Sequence, residues 1–288
     1  MTQSLWLTFA LCLVGLPQVG LAASVQTDSR RSDLLSAEHT LNVQASARSA
    51  PDILTNSLGI SISIESPRSG GARWDPALAL DFQSASLEEI LDSLCAQLSS
   101  FEWTLHVSAR GAAIAIYPDD LDQTYLSAPL DCSTMTAITI ESVLASAYPD
   151  QRLRYGNPYT DTTLPFQLIA NSHSKPFTPF GEVIRDDEVD LSDLGQTDVR
   201  SALLETLLAI NVPNLIYNTR WGKDVSDIVN APGFDEDTLR RLDEEGVLAS
   251  REFNIQKVFV RQALPSDLVS QSLVEYLSAN SPSPERQF

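Results

Sequence analysis

Between Ile60 and Ile116 the spacing of apolar residues switches from two to about 3.6 and back, and this switch constrains the fold more than any other feature of the chain. Ile60, Ile62 and Ile64 alternate with Ser61, Ser63 and Glu65, the two-residue period of a strand buried on one face. Pro67, Ser69, Gly70 and Gly71 then punctuate the chain. Leu78, Leu80 and Phe82 resume the alternation. A helix must follow at once, because Ser86 and Glu89 have the spacing of a capping box. Leu87, Ile90, Leu91, Leu94 and Leu98 line one face of it. Trp103, Leu105 and Val107, a turn at Arg110-Gly111, then Ile114 and Ile116 read as a hairpin ended by Pro118. The expected fold class is therefore α+β: small mixed sheets with one or two packed helices in β-α-β-β modules.

The apolar pattern has a counterpart in a known family. The stretch from Leu80 to Leu98 reads Leu-Asp-Phe-Gln-Ser-Ala-Ser-Leu-Glu-Glu-Ile-Leu-Asp-Ser-Leu-Cys-Ala-Gln-Leu, and Trp103-Thr-Leu-His-Val and Ala113-Ile-Ala-Ile-Tyr follow it. Together these resemble the short N-terminal domain of secretins and TonB-dependent receptors. The motif is one of apolar positions rather than chemical groups. It departs at Ser99 and Ser100, where the family often has a glycine-containing turn. The resemblance implies a small module that docks partner proteins in the cell envelope, and it brings no catalytic residue. No long series of alternating amphipathic strands follows, so a transmembrane barrel is not expected.

The second half suggests a divergent copy over 195–278. Thr197 can cap a helix carrying Val199, Ala202, Leu203, Leu207 and Ile210, which Pro213 stops. Leu215 to Tyr217 and Val258 to Val260 read as strands, with Trp221-Gly222 as a turn. Each unit trails a helix, over 140–148 and 268–277, so the first module is placed at 59–149. Residues 24–58, rich in Ser, Ala, Thr and Asn, read as a mobile linker. Residues 150–194 form a connecting segment with aromatic and proline residues followed by the acidic run Asp186 to Asp193. Its Tyr155, Tyr159, Phe166, Phe177 and Phe180 are candidate interface residues, because aromatic side chains often dominate binding energy. Residues 279–288 read as a disordered tail.

An apolar run from Leu5 to Leu16, broken by Pro17 and followed by Gly20, Ala22 and Ala23, reads as a secretory signal peptide over 1–23. It is shorter than the roughly 20 apolar residues a membrane span needs. The protein is thus expected in the periplasm or otherwise exported, with no stable membrane insertion after cleavage. Its formal charge is −19, all of it beyond residue 23, which disfavours nucleic acid as a partner. Cys95 and Cys132 would remain after cleavage, and an even count in an oxidising compartment permits a disulfide worth about 3–4 kcal/mol, the alternative being a core thiol at Cys95 and a loop thiol at Cys132. His39, His106 and His173 lack metal-ligand spacing, and His106 reads as a plain surface histidine. No metal, cofactor or catalytic residue is expected. The chain reads as an exported protein that mediates protein–protein interaction, as an accessory or component of a secretion or uptake assembly. The alternatives are a free-standing periplasmic binding or scaffold protein and, third, a hydrolase.

Overall fold

A computed structural model describes residues 19–148, 153–156, 187–222 and 255–264. In chain order its elements are α1 (Val19–Ser36), β1 (Glu38–Ser46), α2 (Ala50–Leu58), β2 (Ser61–Ile64), β3 (Ala77–Ser86), α3 (Leu87–Leu98), β4 (Phe101–Ser108), β5 (Gly111–Pro118), β6 (Pro129–Asp131), α4 (Ile140–Ala147), β7 (Leu153–Gly156), β8 (Gln196–Asp198), α5 (Val199–Ala209), β9 (Leu215–Gly222) and β10 (Ile255–Gln262). The fold is α+β. The strand–helix–hairpin run stands where its periodicity places it. Ser86 Oγ accepts from Glu89 N at 3.2 Å and Glu89 Oε2 accepts from Ser86 N at 2.8 Å, which completes the capping box. Ser99 and Ser100 take positive φ, 57° and 61°, so serines adopt the backbone that a glycine turn would supply without strain.

The sheets are arranged differently from two independent modules. Six strands form one sheet in the order β4-β5-β2-β9-β10-β7, drawing on both halves of the chain. β5, β2 and β9 run parallel, and the β4–β5 and β9–β10 pairs are antiparallel. β3 leaves its hairpin and pairs with β1 in a separate ribbon, while β6 and β8 form another. Alternation sorts the sheet into two faces. Ile62, Ile64, Ile114 and Ile116 share a core with α2, α3 and the β1–β3 ribbon. Ala113, Ala115, Tyr217, Val258 and Val260 share a second core with α4 and α5. The two strand–helix–hairpin runs thus put their helices on opposite faces of a shared sheet, and a duplication is not confirmed.

Residues 24–58 are not a linker. They supply most of α1, then β1 and α2, and Leu41, Val43 and Leu54 are buried. The reason lies in local signals: Leu41, Val43 and Ala45 alternate with polar residues, Pro51 opens α2, and Gly59 closes it at φ 70° in the left-handed region. Of the two alternatives for the cysteines, the structure has the free thiols and not the disulfide. Cys95 and Cys132 are free, buried thiols in different cores, with the six-stranded sheet between them. Trp221-Gly222, expected as a turn, ends β9, and Asp198 rather than Thr197 caps α5. The signal segment up to residue 18, the tail 279–288 and the second trailing helix lie outside the described residues. No described helix is long and apolar enough to cross a membrane.

Between β2 and β9 the backbone ladder is short, registered at Ile64 and Asn218 alone, and side chains complete the join. Ser63 Oγ accepts from Tyr217 N at 2.9 Å. Ser66 N donates to Thr219 Oγ1 and Ser66 Oγ to Thr219 O, both at 2.8 Å. The fully buried Glu65 accepts from Arg200 Nε at 2.6 Å, Tyr217 Oη at 2.8 Å and Thr124 Oγ1 at 2.7 Å. The Arg200 guanidinium stacks 3.6 Å from the Tyr117 ring centre. Burial alone would make Arg200 lose its proton more readily, but Glu65 beside it reverses the sign and holds it charged. On the opposite face, Arg261 clamps Asp52 through both guanidinium arms, and Leu264 N donates to Asp52 Oδ1 at 2.7 Å.

Two outcomes follow. Glu65→Ala, which leaves Arg200 buried without its partner, should cost about 3–5 kcal/mol in urea unfolding. The double change Glu65→Met/Arg200→Met should cost less than that single change; an equal or larger loss would contradict the pairing. Burial first, then the nearby Asp92 and Glu102 carboxylates, push the Cys95 thiol up to about 12, and burial also raises Cys132. Alkylation at pH 8 followed by peptide mapping should therefore leave both residues unlabelled in the native chain and label both in urea.

Candidate functional site

β4 is the first strand of the six-stranded sheet, and no described strand pairs with its outer side. The two-residue turn after Ser108 makes Ser108 and Gly111 a hydrogen-bonded pair. Counting back by twos points the backbone groups of Trp103, Leu105 and Val107 outward. Such an edge is a template for another strand unless it is guarded. Side chains guard it here. Arg31 Nη1 donates to the outward Leu105 O at 3.3 Å, and Arg30 Nη1 donates to Ser108 O at the hairpin end of the strand at 2.9 Å. Both arginines ride on α1, whose Leu34 and Leu35 pack on the α3 core. The free side of β3 is treated the same way: Gln97 from α3 meets both backbone groups of Ala79, at 2.9 and 2.8 Å.

The far end of β4 is pinned from the other face. His106 Nε2 lies 2.8 Å from Glu205 Oε2, and Arg110 Nη1 lies 2.8 Å from Glu205 Oε1. The surface histidine of the sequence reading is thus largely enclosed, with 16% of its side chain exposed. Its place opposite Trp103 and Leu105 is not a solvent face, because α5 covers that side of the sheet. Burial pushes the Glu205 carboxyl up, but hydrogen bonds from His106, Ser108 and Arg110 outweigh it and hold it below the ordinary range. The group resembles part of a hydrolytic triad without its geometry. Ser108 serves Glu205 and the Arg110 N–H, and among the described residues its hydroxyl makes no hydrogen bond to the imidazole.

At the start of β4 a cleft of about 440 Å³ opens beyond the carboxyl ends of β5 and β2. Trp74 and Phe101 line it as a parallel stack, 5.5 Å apart and 8° from coplanar. Asp119, Asp120 and Gln123 follow from the end of β5, and Ser99 and Ser100 from the strained turn. Crevices at the carboxyl ends of parallel strands are common ligand sites. Asp120 is partly engaged, since its Oδ1 accepts from Asp122 N at 3.1 Å. Among the described residues, no group of three or more His, Cys, Asp or Glu side chains is placed to hold a metal ion.

The aromatic residues singled out from sequence do not build this site. Tyr155 lies in β7, where its backbone registers with Val258 of β10 at the opposite edge of the sheet. Tyr159, Phe166, Phe177 and Phe180 lie outside the described residues. The residues that do frame the edge and cleft, Arg30, Arg31, Trp74, Phe101 and Gln97, carry no motif. Only the adjacent arginines in a polar stretch hint at a role. No protein-family model matches the chain, and neither the curated proteins nor the solved structures contain a match.

Glu205→Gln tests the pin. The depressed Glu205 carboxyl contributes stability above the ordinary glutamate range and loses it as pH falls through its folded value. The variant should be less stable than the parent by about 1–2 kcal/mol at pH 7, and the two should converge in acid. A constant difference across pH would contradict this.

Proposed function

We propose that this is an exported envelope protein that works by docking a partner polypeptide, which adds as an extended strand along β4. The observation that carries the reading is the outward backbone of Trp103, Leu105 and Val107, which no described strand pairs and which Arg31 of α1 meets at Leu105. One side-chain bond to the outward backbone contributes little stability, so a segment offering a full ladder can replace it. The apolar pattern shared with the short N-terminal domain of secretins and TonB-dependent receptors supports the same role, a docking module in a secretion or uptake assembly. The apolar run at Leu5–Leu16 supports export, and the charge of −19 weighs against nucleic acid as the partner. Strand addition draws its affinity from the main chain and its specificity from pockets beside the edge, and the cleft at Phe101 stands where such a pocket is needed.

The test places a photo-cross-linking amino acid in the tagged chain at Glu102, on β4, or at Asp81, exposed on β3. After irradiation of envelope fractions, position 102 should yield a discrete adduct with an envelope protein and position 81 should not. Identical patterns from both positions, or no adduct from 102, would sink the reading.

A further inference from the structure

We propose that the cleft at the start of β4 holds a cationic side chain, arginine or lysine, carried by the docked segment; the carrier rests on the docking reading, and the cleft chemistry stands apart from it. The first support is the wall. The Trp74–Phe101 stack offers a flat aromatic surface, and a guanidinium or ammonium is attracted to such faces. The second is the balance of polar groups. Asp119 and Asp120 bring two carboxylates, and among the described residues that line the cleft there is no Lys, Arg or His. The amide oxygen of Gln123 is already taken by Ser69 N at 2.8 Å, which leaves the carboxylates as the strong acceptors facing a ligand. A site rich in acceptors and poor in cations suits a donor-rich cation and rejects an anion.

The cleft is also held in shape. Gly70 lies so close to the indole that a Cβ there would sit 2.5 Å from Trp74 Cδ1, so any other residue would displace the aromatic wall. Opposite it, Ser99 at φ 57°, ψ 122° keeps a backbone that side chains rarely adopt. Its Ser100 neighbour accepts from Asp119 N at 3.0 Å and so ties the strained turn to the acidic rim. The volume of about 440 Å³ lies within the range of ligand clefts, about 300–1,000 Å³. Phe101 belongs to both the cleft and β4, so a strand laid on the edge passes the cleft mouth.

The probe is N-acetyl-arginine methylamide, titrated into the full chain at low salt while the Trp74 indole N–H resonance is followed, assigned with Trp74→Phe. A saturable shift is expected. It should weaken at least tenfold in the exposed-surface variant Asp119→Asn/Asp120→Asn and when the isosteric, uncharged citrulline compound replaces arginine. No saturable shift, or equal binding of arginine and citrulline, overturns the proposal. A cross-link at position 102 with no arginine binding overturns the cleft proposal alone. Arginine binding with no cross-link at 102 overturns the docking reading alone.

Discussion

Glu65 is the residue on which the architecture turns. It directly follows a central strand of four residues, β2, which is all that separates the hairpin of the first half from that of the second. A strand so short cannot join two halves by its ladder alone. Glu65, Ser63 and Ser66 add the missing contacts through side chains, to Arg200, Tyr217 and Thr219. A buried carboxylate is costly unless it is fully paired. Here it has a guanidinium, a phenol and a hydroxyl, so the same group that makes the join also penalises any arrangement that breaks it.

This join has consequences for the surface. One sheet covered on both faces leaves only its edges and ends for recognition. The β4 edge is guarded by Arg31 of α1 at Leu105, with Arg30 at the hairpin end, and Ala79 of β3 by Gln97. Side-chain guards satisfy backbone groups without committing them to a strand. The cleft beside Phe101 then follows from three irregularities at one end of the sheet: the strained Ser99–Ser100 turn, the close approach of Gly70 to Trp74, and the acidic end of β5.

Much of the fold was legible because local signals agreed with one another. Ser86, Glu89 and five apolar residues specify α3, and Arg110-Gly111 between alternating runs specifies the β4–β5 hairpin. The pairing partners were not legible. β3 has the same pattern whether it joins its hairpin or the β1 ribbon, and alternation cannot choose between them. The 24–58 stretch was misread because its polar composition hid the Pro51 and Gly59 boundaries of α2. His106 misled for a related reason: alternation tells the two faces of a strand apart, but not that α5 covers the second. The cleft was invisible in sequence, since Trp74, Phe101 and Asp119 meet only through strand ends and turns. Chain position likewise gave no warning that Cys95 and Cys132 lie on opposite sides of a sheet.

The most direct test of an open but guarded edge is residue-resolved amide hydrogen exchange, by NMR, on the protein alone. The account requires alternation along β4. The amides of Thr104, His106 and Ser108, paired with β5, should exchange slowly, and those of Trp103, Leu105 and Val107 much faster. Uniformly slow exchange at all six would mean the outer side of β4 is already paired, and a docking role for it would be lost.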